Sequence, residues 1–384
     1  MPTLTIIHTG KPESTLDEFI ATAEHMGVNA EVVRITDDLI ASGAVAELGD
    51  GILWRLSNID IGGVASFYSA IGDKETINPA LYRFPQLADK FFQQSMLRYS
   101  SLGRYAIDTL RVNGAWPAKK YIEEGKLRVP FVVKPARGFS GNGVKLIKKP
   151  EDLAGISNGY VAQPYVPNEG EWRVFVIGGV GVGAMRKVAG EGKPFNFVTS
   201  DAHIYNEEGP QVLSELNKIA CQSASLFGLG CTGVDIVRNQ ETGEYKIFEV
   251  NLAPGWQNGW DVVTGESVPK EVTQWYIERW NLDPTDPVPA LREYLNNRIT
   301  RLTESTQQKV SAIQNGDLPD EVKNDLAAYK AEIERRCEIS PLGNFLVDRR
   351  SNTKAGLSTM HNLEDCAETT ATYIKACELL GGVL

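Results

Sequence analysis

The sequence predicts an α/β protein in which the balance between helices and strands changes along the chain. Strands and helices alternate over residues 1–85, strands dominate from about residue 129 to 254, and polar helical segments follow residue 269. These observations predict three regions: an open α/β domain at 1–85, a strand-rich core at 86–269 and a helical accessory region at 270–384. At 384 residues the chain is long enough for two or three domains.

The first region is predicted to be a strand–helix–strand unit. Residues 4–7 form a short apolar run, and a capped helix pattern extends from 14 to 27. Residues 31–35 and 51–56 read as the next two strands. A segment containing Leu87, Phe91 and Leu97 then has helical spacing, and a further helix is predicted at 213–227. Beyond the core, helices are predicted at 288–314, 321–338 and 363–380.

Composition excludes several classes of partner. The net charge is −10 and the isoelectric point about 5.1, so no basic field attracts nucleic acid or anionic lipid. The apolar runs are too short to span a bilayer, and the N-terminus lacks the pattern of a signal peptide. We therefore predict a soluble, cytoplasmic protein that binds neither nucleic acid nor membrane. The five cysteines form no CxxC pair and are read as reduced thiols.

The glycine-rich segment VPFVVKPARGFSGNGVKLI, at 129–147, is the most informative part of the chain. An apolar strand places Lys134 at its end, and a turn containing Gly138, Ser140, Gly141 and Gly143 follows. Glycines at this density let backbone N–H groups surround an anion, and the lysine adds a point charge for phosphate. Alone this is a weak signal, because many glycine-rich hairpins bind no ligand.

A second pattern, GVDIVRNQETGEYKIFEVNLAPG at 233–255, is more specific. Two apolar strands flank a turn, and strand alternation places Glu249 and Asn251 on one face. If Asp235 lies opposite Glu249, that face presents two carboxylates and an amide, which are the oxygen donors that Mg²⁺ prefers. The alternative is a solvated hairpin face with ordinary polar residues.

Between the two patterns, YVAQPYV at 160–166 is a strand leading into a linker whose backbone can meet an adenine edge. Glu171 is a candidate for ribose hydroxyls. Arg173, Arg186 and Lys187 are candidates for neutralising phosphate or an acyl phosphate. Surface cations on strands are often only solvated, and for Lys187 the two interpretations are evenly balanced.

These motifs together resemble the ATP-grasp superfamily, most closely its RimK-type carboxylate–amine (α-L-glutamate) ligases. The similarity covers roughly residues 1–265, from GILWR at 51–55 through ADK at 88–90 and the two patterns above to EVNLAPG. It implies an ATP-grasp fold with an N-terminal pre-ATP-grasp open α/β domain and a C-terminal helical extension.

The resemblance also implies roles for individual residues: Lys90 and Lys134 would bind the ATP phosphates, and Glu171 would contact the ribose. The full nucleotide-binding set is Lys90, Lys134, Gly138, Ser140, Gly141, Gly143, Gln163, Tyr165, Val166 and Glu171. The implied metal ligands are Asp235, Glu249 and Asn251, for two Mg²⁺ ions with Mn²⁺ as an alternative. The residues assigned to the phosphoryl and acceptor side are Arg173, Arg186 and Asn196.

The sequence departs from the family pattern at three places. Gln163 stands where a hinge glutamate is common, FVTSDAH at 197–203 lacks the basic stretch of glutamate-adding members, and nothing in the matched region accounts for 270–384. The acyl donor and the amine acceptor are therefore left open.

The predicted function is an ATP-dependent carboxylate–amine ligase that forms an amide through an acyl phosphate and releases ADP and phosphate. Its substrates would be small-molecule or peptide carboxylates and amines, with a protein acceptor and a homo-oligomer left open. Two alternatives are a phosphotransferase on the same fold and a nucleotide-binding regulatory protein whose C-terminal helices bind a partner. The set of metal ligands argues against the regulatory protein, since nucleotide binding alone does not require it.

Overall fold

A computed structural model of the chain describes residues 1–8, 14–55, 74–78, 85–138, 143–188, 203–205, 210–256 and 267–281, with single positions 67, 71, 80 and 141. Within these ranges the protein is a mixed helix and sheet structure with three sheets. The helices predicted beyond residue 281, and with them the C-terminal extension, lie outside the described residues.

The first sheet confirms the predicted strand–helix–strand unit. Its four parallel strands lie in the order β2-β1-β3-β4, which is an open α/β sheet. The strands are β1 Thr3–His8, β2 Asn29–Arg34, β3 Gly51–Trp54 and β4 Glu75–Thr76. The helices are α1 Ser14–His25 and α2 Asp37–Ala41. Helix α1 covers the sheet because Leu16, Phe19 and Ala23 recur on one side of it and are buried.

A helix that the sequence reasoning did not separate from the accessory region packs on the same sheet. Helix α6 extends over Val268–Trp280 and begins with a side-chain cap, in which the Ser267 hydroxyl accepts from the Lys270 N–H. Its Trp275 and Tyr276 side chains are fully buried. The predicted boundary between residues 269 and 270 falls inside this helix, and the domain limits stay a prediction.

The second sheet carries the glycine-rich segment. Its antiparallel strands lie in the order β5-β8-β6-β7. They are β5 Leu110–Val112, β6 Phe131–Pro135, β7 Lys145–Ile147 and β8 Tyr160–Pro164, with helix α4 Ala115–Glu123 beside them. Phe131, Val133 and Ile147 form the core between sheet and helix.

The third sheet carries the predicted metal hairpin. Five antiparallel strands lie in the order β11-β10-β9-β12-β13. They are β9 Glu171–Ile177, β10 Val180–Val188, β11 His203–Tyr205, β12 Cys231–Arg238 and β13 Tyr245–Asn251. The predicted helix at 213–227 is confirmed as α5 Pro210–Phe227, whose apolar side packs on the sheet. Helix α3 Lys90–Arg98 begins at the N-cap Asp89.

The helices of the described ranges do not reach the combination of length and apolar character needed to cross a membrane.

Short 3-10 turns lie at Ala44–Glu47, Pro85–Ala88, Gly103–Tyr105 and Pro150–Leu153. Two of the five cysteines, Cys221 and Cys231, are described, and both are buried. Burial raises the pKa of Cys231 to about 11, which is the behaviour of an unreactive core thiol.

Buried side chains join the first sheet to the third and to α6. The Asn78 amide nitrogen donates to the carbonyls of Cys231 at 2.8 Å and Leu252 at 3.3 Å, and its oxygen accepts from the Cys231 N–H at 2.8 Å. The Tyr276 hydroxyl donates to the Ile52 carbonyl at 2.5 Å and accepts from the Ile77 N–H at 3.1 Å. The position of the metal hairpin is therefore tied to the edge of the parallel sheet.

Replacing Tyr276 with Phe should destabilise the protein without changing its shape. The variant removes both hydrogen bonds of a buried hydroxyl, so the free energy of unfolding should fall by about 1–3 kcal/mol in denaturant titrations. The same substitution at Tyr99, which is 89% exposed, is the matched control and should change it by less than about 0.5 kcal/mol. Equal effects at the two positions would contradict the role of the Tyr276 hydroxyl.

Candidate active site

The β12–β13 hairpin has the register on which the predicted metal site depended. Asp235 lies directly opposite Glu249, and Gly233 lies opposite Asn251. The Asn251 amide nitrogen donates to Asp235 Oδ2 at 2.9 Å, so the three polar side chains meet on one face. The next pair is Ile236 with Ile247, which leaves Phe248 as the extra residue of a β-bulge beside the site.

An arginine on the neighbouring strand β9 holds Asp235. Arg173 lies opposite Asp235, and its Nε and Nη2 atoms donate to the two carboxylate oxygens at 2.7 Å each. Burial alone would raise the pKa of Asp235, but Arg173 and Lys187 lower it to about 2. Burial opposes the charge on the guanidinium, yet Asp235 raises the pKa of Arg173 above its ordinary value. Both members of the pair are therefore ionised at neutral pH.

A second ion pair lies beside the first. Lys187 on β10 pairs with Glu171 on β9, and its Nζ is 3.8 Å from Asp235 Oδ1. Burial raises the pKa of the Glu171 carboxyl, although Lys187 opposes that shift. Glu171, the predicted ribose ligand, thus belongs to the same cluster of buried charges as Asp235. Lys187 is buried in this cluster and is not a solvated surface cation, and its functional role stays a prediction.

Lys90 connects three elements of the site. It is the first residue of α3, and its backbone N–H donates to the Ala136 carbonyl at 2.8 Å. Its Nζ donates to the Gly138 carbonyl at 2.9 Å and lies 3.0 Å from Glu249 Oε1. Asp89 caps the helix by accepting from the N–H groups of Phe91 and Phe92. One lysine therefore contacts both the glycine-rich loop and a predicted metal ligand.

Lys134, on β6, also contacts the hairpin. Its Nζ is 3.4 Å from the Phe248 carbonyl and 5.8 Å from the centre of the Phe248 ring. Burial lowers the pKa of Lys134 to about 8, although Glu249 partly opposes the shift. A lysine with this desolvated charge is suited to receive an anion.

Lys90 contacts the glycine-rich loop at its first glycine, Gly138. Gly141 and Gly143 have φ values of +69° and +79°, which other residues rarely adopt. A Cβ on Gly143 would lie 3.0 Å from both Pro135 and the Tyr160 hydroxyl, so the loop also packs closely there. Ser140 lies outside the described residues.

The predicted adenine region contains a buried amide and an apolar cluster. Gln163 is buried and donates from Nε2 to the Thr109 hydroxyl at 2.8 Å. Val166 packs with Ile107, Val237 and Phe248. The Tyr165 N–H donates to the Pro130 carbonyl at 3.3 Å, and the Val166 carbonyl accepts from Asn168 at 2.9 Å. The linker backbone thus lies next to an apolar surface that borders β12 and β13.

The structure does not bring Arg186 together with Arg173. Arg186 lies opposite Trp172, its guanidinium stacks over that ring at 5.1 Å, and its Nη2 donates to the Glu169 carbonyl at 3.3 Å. Because side chains alternate along a strand, Arg186 faces away from the cluster that Lys187 joins. Asn196 lies outside the described residues. The roles of both residues stay predictions.

Sequence reasoning missed three buried amides that hold the hairpin: Asn78, Gln93 and Gln94. They contact the backbone of residues more than a hundred positions away, so no local pattern identifies the partner. A weak signal was available for the glutamines, since they are adjacent polar residues within the apolar pattern that follows Lys90.

The donor set of the hairpin fits Mg²⁺. Asp235 and Glu249 supply carboxylate oxygens, the Asn251 amide supplies a third, and Asp235 remains ionised because of Arg173. Across the described ranges, no group of three or more His, Cys, Asp and Glu side chains is arranged to hold an ion. Mg²⁺ commonly completes its coordination with phosphate and water, so two carboxylates and an amide are sufficient protein ligands.

A comparison with protein families finds a match. Residues 102–275 match the model of the RimK-like ATP-grasp domain, so this part of the chain is similar to that domain. The match includes the glycine-rich loop, the predicted adenine region, β9 with Arg173 and the whole β12–β13 hairpin.

Curated relatives of the chain are named as ligases. The chain is 32% identical over 152 residues to a probable alpha-L-glutamate ligase from Psychromonas ingrahamii, covering 36% of this chain and 47% of that protein. The chain spans about half the length of the curated relatives it matches.

Solved structures share the ATP-grasp fold over a larger part of the chain. The ATP-grasp ligase PsnB with a minimal precursor has a TM-score of 0.54 at 17% identity, covering 72% of this chain and 99% of that one. N5-carboxyaminoimidazole ribonucleotide synthetase from Thermotoga maritima also has a TM-score of 0.54, at 16% identity, covering 71% and 75%. Another PsnB structure holds Mg and ADP. At these identities the likeness confirms the predicted fold.

The lowered pKa of Lys134 predicts a pH dependence of stability without nucleotide. Between pH 8 and the ordinary lysine value of 10.5, the unfolded chain binds a proton that the folded chain has released. The free energy of unfolding of the wild type, minus that of Lys134→Met, should therefore increase as the pH rises through this interval. Lys119→Met, on the exposed side of α4, is the control. A wild-type minus Lys134→Met difference that is constant with pH would contradict the assignment.

Proposed function

We propose that this protein is an ATP-dependent carboxylate–amine ligase that forms an amide bond through an acyl phosphate and releases ADP and phosphate. The observation that carries the proposal is that Asp235, Glu249 and Asn251 meet on one face of a hairpin within the region similar to the RimK-like ATP-grasp domain. Lys90, which precedes that region, lies 3.0 Å from Glu249. Relatives named as glutamate ligases support the reaction class.

In this proposal, the ATP phosphates are bound by Lys90, Lys134 and the loop around Gly138–Gly143. Lys90 already contacts the loop carbonyl of Gly138, and Lys134 carries a desolvated charge. The apolar cluster of Ile107, Val166 and Val237 would receive the adenine, next to Gln163. The proposed role of Glu171 is to bind the ribose, although in this structure its carboxylate pairs with Lys187.

The metal part of the proposal assigns two Mg²⁺ ions to Asp235, Glu249 and Asn251, with Mn²⁺ as a substitute. Such ions, when bound, neutralise the phosphate oxygens of the nucleotide. The protein's contribution is to keep the ligands ionised and oriented: Arg173 holds Asp235 through two hydrogen bonds, and Lys90 holds Glu249. The magnesium and ADP in a PsnB structure support this assignment by analogy of fold.

The proposed reaction has two steps. A carboxylate oxygen of the first substrate attacks the γ-phosphorus of ATP, the bond from that phosphorus to the β,γ-bridging oxygen breaks, and ADP leaves. The nitrogen of an amine then attacks the acyl carbon, phosphate departs with the carboxylate oxygen, and the amine loses a proton. Lys90 and Lys134 would stabilise the charge transferred in the first step. The acyl phosphate is labile in water, so a loop that covers the nucleotide is required.

The proposal extends to the substrates and to the rest of the chain. We assign the carboxylate and the amine to small molecules or peptides, and leave the identity of both open. Arg186 and Asn196 keep the acceptor-side roles that the family resemblance implies. Residues 270–384 are proposed as an accessory region, and the protein as cytoplasmic, in keeping with the reduced thiol of Cys231.

Replacing Glu249 with Gln tests the proposed metal ligand. The variant retains the shape of the side chain and removes a charge that Mg²⁺ requires, so ATP turnover should fall by about 10²–10³-fold while folding is retained. Glu241→Gln, an exposed position in the turn of the same hairpin, is the matched control and should retain turnover. Near-normal turnover in folded Glu249→Gln protein would exclude the metal role.

The test of the reaction class uses labelled oxygen. The purified protein is first screened with ATP, Mg²⁺ and mixtures of amino acids, short peptides and amines, and products are identified by mass spectrometry. The accepted carboxylate is then labelled with ¹⁸O. The proposal requires one label in the released phosphate and ADP as the nucleotide product. AMP with pyrophosphate would show adenylation instead, and a stable phosphorylated product would show a phosphotransferase.

A further inference from the structure

The strand that carries Glu249 and Asn251 is the outermost described strand of its sheet. Among the strands that the structure describes, in the order β11-β10-β9-β12-β13, β13 has a neighbour on one side only. An edge strand presents N–H and C=O groups that need partners when they are buried. The backbone groups on the outer edge of β13 therefore have to be satisfied by something other than a strand.

Two side-chain amides from helix α3 occupy this edge. Gln93 accepts from the Val250 N–H at 3.1 Å and donates from Nε2 to the Val250 carbonyl at 2.8 Å. The same Nε2 donates to the Leu87 carbonyl at 2.7 Å. Gln94 donates to the Ile247 carbonyl at 2.8 Å and accepts from the Ile107 N–H at 2.8 Å. Both glutamines are 3% exposed.

The pair of bonds between Gln93 and Val250 imitates a strand neighbour. A primary amide has a donor and an acceptor side by side, so it can exchange two hydrogen bonds with one residue of a strand. Val250 lies between Glu249 and Asn251 in sequence. Ile247, held by Gln94, precedes the bulged residue Phe248. The two glutamines therefore fix β13 on both sides of the bulge.

The helix that supplies the glutamines also supplies the proposed phosphate-binding lysine. Lys90 begins α3 and lies 3.0 Å from Glu249. Rotation or translation of α3 against β13 would change the distance between Lys90 and Glu249, and the hydrogen bonds of Gln93 and Gln94 oppose such a movement. Neither glutamine is a ligand of the proposed metal or a contact of the proposed phosphates.

We infer that Gln93 and Gln94 are positioning residues that set the metal ligands on β13 relative to Lys90, an inference that rests on the proposed function. They govern the binding of a nucleoside diphosphate or triphosphate in complex with a divalent cation. Residues that orient metal ligands through hydrogen bonds commonly change metal affinity by about 10–100-fold when replaced.

Gln93→Met tests the inference, because it retains the length of the side chain and removes all three hydrogen bonds. Hydrogen exchange should become faster at the Val250 amide, which loses its acceptor. Calorimetry then measures ADP affinity in Mg²⁺ and in EDTA, and the ratio of the two affinities gives the enhancement by Mg²⁺. This ratio should be about 10-fold smaller in Gln93→Met than in the wild type.

Thr5→Val is the matched control for a loss of buried hydrogen bonds away from the site. The Thr5 hydroxyl donates to Glu31 and accepts from the Gly49 N–H within the first sheet. This variant should be destabilised without a change in Mg²⁺-dependent ADP affinity. If Gln93→Met does not fold, Gln94→Met, which removes the bonds to Ile247 and Ile107, is measured instead and should show faster exchange at Ile107 and the same loss of Mg²⁺ enhancement.

The outcomes separate this inference from the proposed function. Unchanged exchange at Val250 in folded Gln93→Met would contradict the hydrogen bonds themselves. Faster exchange with an unchanged Mg²⁺ effect on ADP would make the glutamines purely structural and overturn the positioning role. A wild-type protein that binds no ADP in Mg²⁺ would contradict the proposed function first, and the inference with it.

Discussion

The bidentate ion pair between Arg173 and Asp235 is the interaction on which the candidate site depends. It joins β9 to β12 at the centre of the third sheet, and both side chains are largely buried. Removing either partner would leave an unpaired charge in the interior, which costs far more than the pair contributes by itself. Lys187 and Asn251 are both oriented by Asp235, and Glu171 follows through Lys187. The pair therefore keeps Asp235 ionised and sets the direction of the groups bonded to it.

The charges of the site are not balanced among themselves. Within the described residues the cluster contains the cations Lys90, Lys134, Arg173 and Lys187 and the anions Glu171, Asp235 and Glu249. Arg173, Lys187 and Lys90 each lie within salt-bridge distance of a carboxylate, whereas the Lys134 ammonium contacts a carbonyl and a ring. The excess cation is thus Lys134, and burial is the main cause of its lowered pKa. An anion beside Lys134 would balance this charge, in keeping with the proposed phosphate contact.

Local patterns were sufficient for those parts of the fold whose partners are near in sequence. Alternation and the turn at 241–244 predicted the β12–β13 hairpin, and with it the face shared by Asp235 and Glu249. Helix α6 was not resolved from sequence because its buried side chains pack on a sheet formed more than two hundred residues earlier. The sequence could not separate Arg186 from Lys187, because a shift of one residue moves a side chain to the other face. The pairing with β9 places Lys187 on the face of Asp235.

The buried amides explain how a strand with functional residues can lie at the edge of a sheet. A further strand beside β13 would satisfy its backbone, but it would occupy the space through which α3 brings Lys90 to Glu249. Gln93 and Gln94 satisfy the same backbone groups from within the helix, so one element supplies both the hydrogen bonds and the lysine. Asn78 acts in the same way at the base of the hairpin, where it bonds Cys231 and Leu252. The proposed metal ligands are therefore held from outside their own sheet, by helix α3 and by Asn78, both of which precede it in the chain.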